Sequence, residues 1–318
     1  MTRPDPSFWR GRPVAVTGSA GFLGRAVVRD LGQLGGDVRL VHSVDHDLRD
    51  PAAARQAVEG ADVVIHLAAR VGGIGFNRRN PAPLAYDNLM MGTNVFEQSR
   101  LAGASKLVAA CSVCAYPKHT PVPFSEDDLW IGYPEESNAP YGLAKKMLLV
   151  LSDAYRRQYG FDSCAPVIAN LYGPGDNFDL EDSHVIAAMI RKFSDAAERG
   201  DPEVVLWGTG RPSREFLYVD DAARALILAA ERLDSSRPVN IGTGVGTEIR
   251  ELAEIVRSLS GFPGEVVWDA SRPDGQPSRH LDVSRAKELL GFQAEVLLRD
   301  GLRRTIEAFR ATPEPARI

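Results

Sequence analysis

The stretch Pro13-Val14-Ala15-Val16-Thr17-Gly18-Ser19-Ala20-Gly21-Phe22-Leu23-Gly24 decides the fold. Its first five residues form a short apolar run that reads as a buried strand. Glycines spaced G-x-x-G-x-x-G follow, and a helical pattern runs on through Leu31. Strand, glycine turn and helix in that order give such glycines their meaning. They let the backbone turn tightly and approach a pyrophosphate, whose charge then sits on the helix N-terminus. A plain turn joining strand to helix is the other reading of this motif taken alone.

Outward from this stretch, Val38-Arg39-Leu40-Val41 is a second strand, and Ala61 to Ala69 holds a third with its exit. The alternation of strand and helix continues through Lys106 to Cys111 and through Cys164 to Asn170. It predicts an α/β fold, a Rossmann-type doubly wound parallel sheet with a smaller C-terminal α/β substrate domain. Residues 1–174 read as the dinucleotide-binding domain, with a returning segment at about 215–240. Residues 175–214 and 241–318 read as the substrate-binding domain. In the latter, Thr247 is expected to cap a helix with Ile249, Leu252, Val256 and Leu259 on one face. Val266-Val267-Trp268 is expected to be a strand, and helices near Ala286 and Leu302 close the chain. The tail from Ala311, with two prolines, is expected to fray.

Ligands bind such sheets at the carboxyl ends of the strands. Residues after the second strand face the adenosine ribose, where an acid favours NAD and a base favours the NADP phosphate. His42-Ser43-Val44-Asp45 places neither clearly. Asp47-Leu48-Arg49-Asp50 either lines the adenine pocket or caps a helix before Pro51. His66 either walls the cofactor site or is a satisfied core histidine, and the second reading is favoured.

Ser112, Cys114 and Asn170 all fall at strand ends. The run Leu107-Val108-Ala109-Ala110 leads into Cys111-Ser112-Val113-Cys114-Ala115-Tyr116-Pro117. Tyr141 and Lys145 are spaced i and i+4 at the start of a long helical pattern, so they share a face. A serine hydroxyl, a phenol and an ammonium so placed converge on one carbonyl oxygen. Tyrosine titrates near about 10 and needs tuning to act near neutrality. A lysine one turn away and an oxidised nicotinamide favour the phenolate. Tyr-x-x-x-Lys recurs by chance on many helices; the upstream serine and glycine turn make it informative. Packing against the sheet is the alternative for Tyr141.

Cys114 shares a face with Ser112 if the chain stays extended. Its thiol is an acid-base group, a small buried residue, or half of a Cys111-x-x-Cys114 redox or zinc pair. Taken alone, the buried reading is favoured. Zinc takes four ligands and no second cysteine pair exists, so no metal is expected.

Composition narrows the class. The 318 residues are 44% hydrophobic and 25% charged, ordinary for a soluble globular protein. A net charge of −5 argues against a general nucleic-acid binder, so an anionic ligand needs a local arginine cluster. Three cysteines give no disulfide framework and suit a reducing cytosol. The N-terminal segment lacks the apolar core of a signal peptide, and no run is long enough to span a bilayer.

Further segments are more specific than the glycine turn. They include Val71-Gly72-Gly73-Ile74 and Asn170-Leu171-Tyr172-Gly173-Pro174-x-Asp176-Asn177-Phe178. Ser183-His184-Val185, Trp207-Gly208-Thr209-Gly210, Arg214-Glu215-Phe216-Leu217-Tyr218-Val219-Asp220-Asp221 and Pro273-Asp274-Gly275 continue them. With the Ser112 and Tyr141 segments, they make the chain resemble the extended short-chain dehydrogenases/reductases. Within these it is similar to the GDP-L-fucose synthase family.

The resemblance implies a 3,5-epimerisation of GDP-4-keto-6-deoxy-D-mannose followed by NADPH-dependent reduction at C4. It implies Ser112, Tyr141 and Lys145 as the reductase triad, and Cys114 and His184 as the epimerisation acid-base pair, which reverses the buried reading of Cys114. It implies substrate contacts from Asn170, His184, Trp207, Arg214 and Arg279, the last at a position where the family often has lysine. Cofactor contacts are expected from Gly18, Ser19, Gly21, Phe22, Leu23 and Gly24. Asp47, Leu48, Ala68, Tyr141, Lys145 and Asn170 complete that set. NADP(H) is the implied cofactor, though the chain lacks an obvious basic clamp and NAD(H) stays open. Val113 departs from the family's usual second serine. Arg78 and Arg79 either reach the nucleotide or are a solvated pair, the second reading being favoured. A homodimer and a cytoplasmic location are expected. Two other readings share the fold: a nucleotide-sugar epimerase that retains NAD, resembling GDP-mannose 3,5-epimerase, and a non-catalytic dinucleotide sensor.

Overall fold

Val14, Ala15 and Val16 are 0–1% exposed, as small and β-branched residues must be in a sheet covered on both faces. They belong to a five-stranded parallel sheet ordered Asp37–Val41, Pro13–Thr17, Val63–His66, Lys106–Ala109 and Ser163–Cys164. The computed structural model describes residues 2–312 except Glu181 and Pro273, with Ile74 described by its backbone only. Pro273 in the Pro273-Asp274-Gly275 segment and the tail beyond Thr312 therefore lie outside the described residues.

The order reverses at Pro13–Thr17. The chain moves outward to Asp37–Val41, then back across to Val63–His66. The crevice beyond the carboxyl ends of Pro13–Thr17 and Val63–His66 is thus the switch point where such sheets take ligands. Helices Phe22–Gln33, Pro51–Val58, Pro81–Leu101 and Ala139–Tyr159 make the crossovers. Asp50, not Asp47, caps Pro51–Val58 by accepting from Ala52 N at 3.0 Å.

Beyond Ala109 and Cys164 the strands break and resume. Cys111–Ser112 pairs in parallel with Val167–Ile168, which pairs with Asn240–Ile241. Asn170–Tyr172 pairs with Phe216–Tyr218. The following helix, Val219–Arg232, packs back on Phe22–Gln33.

A second buried cluster gathers Phe178, Ile190, Phe193, Leu252, Val256, Leu302 and Phe309. The Phe216–Tyr218 strand joins the two cores by alternation. Leu217 points into the first, while Phe216 and Tyr218 belong to the second. Glu203–Trp207 pairs in parallel with Glu265–Asp269, so Val266-Val267-Trp268 is a strand. Ser213–Arg214 lies between Thr247–Glu248 and Ser278–Arg279.

Two local expectations fail. Thr247 sits in that strand, and Glu248 precedes the helix Ile249–Ser260 without a side-chain cap. The chain after Ser112 is not extended either. Val113–Ala115 is a 3-10 turn, because Ser112 Oγ accepts from Cys114 N at 3.2 Å and pulls it round. Leu281, Ala286, Leu290 and Phe292, in the C-terminal part, bury themselves in the first core.

Candidate active site

The glycine turn fits a dinucleotide's diphosphate for steric reasons. Gly18 has φ of 68°, and a Cβ there would lie 2.8 Å from Ala68 N at the exit of the third strand. A Cβ on Gly24 would collide with Gly18 O, so the helix approaches its own turn only through glycine. Gly21 precedes Phe22–Gln33 with no side chain to cap it, leaving first-turn N–H groups for an anion. Ser19 is buried and ties the turn to the second strand through Val41 O at 3.3 Å. Phe22 and Leu23 pack, half-buried, on the sheet core.

Thr17 Oγ1 accepts from Leu67 N and Ala68 N at 3.1 and 3.2 Å and lies 2.8 Å from His66 Nδ1. Its one proton is left for the imidazole. Burial, with Lys145 adding repulsion, pushes His66 down to about 3, so it is a neutral, satisfied core histidine. Asp47 is exposed and gripped by Arg49, whose hydrogen bonds hold it at about 2. Leu48 is buried, its carbonyl held by Asn94 Nδ2 at 3.0 Å.

On the catalytic side, Ala139–Tyr159 carries Tyr141 and Lys145. Helix and Ser-Cys turn come close because residue 142 is glycine; a Cβ there would collide with Cys114 O. Gly142 is a site residue that spacing arguments missed, although it sits inside the Tyr141 segment. Burial, then the sulfurs of Cys114 and Cys111, push the Tyr141 phenol up, and a hydrogen bond to Ser112 opposes them. Burial thus works against the phenolate. Lys145 Nζ lies 6.0 Å from the centre of the Tyr141 ring. Lys145 itself is 4% exposed, and burial lowers it to about 8. Cys111 points the other way, donating to Lys145 O at 3.3 Å, and burial raises it to about 12.

Cys114 is half-buried, and its Sγ accepts from Arg279 Nη2 at 3.3 Å. Arg279 pairs in register with Arg214 on the neighbouring strand. Arg214 falls to about 10 through burial and then Arg279's charge, while Asp274 opposes. Glu215, also missed, fixes this strand pair from behind. Its carboxylate is 1% exposed and accepts from Thr243 N, Gly244 N and Leu281 N at 2.5, 2.8 and 2.7 Å. Its carbonyl accepts from Asn170 Nδ2 at 2.9 Å.

His184 is the N-cap residue of the helix Val185–Arg199; solvent reaches it, yet the surrounding protein desolvates and lowers its imidazole. No hydrogen bond joins it to Cys114 or Tyr141 among the described residues. The loop before it is pinned by Gly73 N on Asp182 O at 2.8 Å and by Arg79 on Asp182 at 2.5 Å. Arg78 and Arg79 are exposed. Trp207 is 68% exposed, with the Arg272 guanidinium 5.1 Å from its ring. Among the described residues no His, Cys, Asp or Glu cluster is arranged to hold a metal, and no helix is long and apolar enough to cross a membrane.

Residues 14–242 match the NAD dependent epimerase/dehydratase family. The chain is 41% identical over 309 residues to the GDP-L-fucose synthase of Escherichia coli K12, covering 93% of this chain and 96% of that one. It is also 41% identical to a probable GDP-L-fucose synthase 1 of Oryza sativa, covering 95% and 94%. The GDP-L-fucose synthetase of Naegleria fowleri solved with NADP superposes with a TM-score of 0.89 at 30% identity, covering 100% of this chain and 98% of that one. A GDP-6-OMe-4-keto-L-xylo-heptose reductase from Campylobacter jejuni gives 0.89 at 28% identity, covering 95% and 98%. With a cofactor turn of this shape and relatives matching nearly end to end, the chain belongs to the NAD dependent epimerase/dehydratase family, in its GDP-L-fucose synthase branch.

Proposed function

We propose that the chain converts GDP-4-keto-6-deoxy-D-mannose to GDP-L-fucose by 3,5-epimerisation and C4 reduction. The observation that carries this is the Arg279 contact to Cys114. It puts a thiol beside buried Arg279 and its half-buried neighbour Arg214, while the turn after Ser112 packs on the helix bearing Tyr141 and Lys145. Arginines so placed suit a diphosphate, and a thiol with a phenol suits enolisation of a ketone.

The chain's own groups divide the work. Arg214 and Arg279 anchor the diphosphate, and Trp207 offers a ring face to the base. Cys114 removes a proton from C3 or C5, and the electron pair moves onto the C4 oxygen. Ser112 and Tyr141 hold that oxygen as it gains charge. His184 returns a proton to the opposite face. Tyr141, kept protonated by burial, then gives its proton to the C4 oxygen, with Lys145 steadying the phenolate left behind. The Gly18–Gly24 turn, with Ala68, Asn170 and Lys145, would hold NADP(H), which would supply a hydride for C4.

The dinucleotide-binding unit comprises residues 1–174 and about 215–240, and the substrate unit 175–214 and 241–318, with Leu281–Phe292 lying over the first core. The protein works as a cytoplasmic homodimer. Free thiols at Cys111, Cys114 and Cys164 support the location. Support for the dimer comes from exposed Tyr86 and Leu89 on one helix and Leu143, Met147 and Val150 on the next, an apolar face that a second copy would cover.

Incubation with GDP-4-keto-6-deoxy-D-mannose and NADPH tests the reading. Stoichiometric cofactor oxidation with formation of GDP-L-fucose is expected, and Tyr141→Phe should abolish it while still binding NADPH. Sugar isomerisation without oxidation would replace this reading with a non-reducing epimerase.

A further inference from the structure

Arg279 does not only stand beside Arg214; it also touches the thiol. Its Nη2 is 3.3 Å from Cys114 Sγ, and the residue is only 9% exposed. Its Nε is buried and has no hydrogen-bond partner among the described residues. The strand beneath it is held in place, since Glu215 N donates to Arg279 O at 3.1 Å and Leu281 N donates to Glu215 at 2.7 Å. Arg279 is thus a fixed cation with one nitrogen on sulfur. A guanidinium presents its N–H groups in one rigid fork, so it can serve two acceptors at set angles.

We propose that Arg279 is the positioning residue of the thiol base, holding Cys114 Sγ through Nη2 while the charge of its guanidinium draws in the sugar nucleotide's diphosphate. This rests on the substrate reading above and deepens it. When the thiolate removes a proton from C3 or C5, an S–H bond forms, the C–H bond breaks, and its electron pair moves onto the C4 oxygen. Arg279 takes no part in the proton transfer and acts only as a hydrogen-bond donor. It stabilises the sulfur's negative charge before the transfer and grips the neutral thiol less tightly afterwards. Binding at the diphosphate thereby aligns the base at the far end of the sugar.

The test is alkylation of Cys114 by iodoacetamide in the ligand-free enzyme, where Cys111 and Cys164 are buried and protected. Arg279→Gln should slow alkylation at pH 7 by at least about 10-fold, the worth of a hydrogen bond to a charged group. Solvent deuterium uptake at C3 and C5 should slow at least as much, with NADPH affinity unchanged. Arg279→Lys should recover part of the alkylation rate through its charge. Wild-type alkylation in Arg279→Gln overturns the proposal, whatever happens to sugar turnover. Arginine-dependent alkylation in an enzyme that never turns over GDP-4-keto-6-deoxy-D-mannose would overturn the substrate reading alone and leave the thiol contact standing.

Discussion

Arg214 and Arg279 stand in register on adjacent parallel strands, two largely buried guanidinium groups with no ion-paired carboxylate on either among the described residues. Like charges placed together away from water are costly unless an anion joins them. Arg214→Ala should therefore raise KM for the GDP-sugar by about 10- to 100-fold, the range for a hydrogen bond to a charged group. Turnover at saturation should change far less, because the contact acts on ground and transition states alike. Steady-state kinetics decides, and an unaltered KM would remove Arg214 from the binding site.

Lys145 gives a pH signature. Burial holds its folded-state pKa at about 8, whereas an unfolded lysine titrates near about 10.4. Between those values the unfolded chain binds more protons, so this residue's contribution makes stability rise with pH across that window. Lys145→Met should melt higher than wild type at pH 7, and the gain should shrink as pH climbs above 8. Reduction should be lost in the variant at every pH. Calorimetry at pH 7 and 9.5 checks this; an equal gain at both would contradict the burial account.

Gly142 sets the distance between Tyr141 and the Ser112 turn. Gly142→Ala forces the helix away from Cys114 O, since the new methyl has no room. A displacement of about 1 Å costs about 100-fold in rate. NADPH oxidation should fall by that order while NADPH binding at the Gly18 turn persists. Turnover near wild type would show that the helix does not need this close approach.

The exposed helix face supplies the last expectation. Leu143 and Met147 are 39% and 40% exposed, one turn apart. Leu143→Glu with Met147→Glu should convert a dimer to a monomer in analytical ultracentrifugation. A wild-type protein that sediments as a monomer would dispose of the proposed homodimer.

Much of this site was readable because its signals are local. The Gly18 turn depends on backbone freedom within a few residues. The Tyr141–Lys145 pair depends only on helical periodicity, which four residues suffice to express. The parallel sheet followed from alternating strand and helix patterns, and it carried Ser112 to a strand end, whereas Asn170 opens the short strand Asn170–Tyr172. Thr247 was misread because a threonine before an apolar helix is a good cap by type, yet pairing with Arg214 drew it into a strand.

What the chain determined by itself was the order of elements and the inventory of reactive groups. Folding alone decided who meets whom. Cys114 and Arg279 are 165 residues apart, and Glu215 reaches Leu281 across 66. No periodicity spans such distances; only packing of two cores against a shared strand brings them together. The same packing removes water from Tyr141 and Lys145, and desolvation, a property of the whole assembly rather than of either side chain, sets their proton affinities.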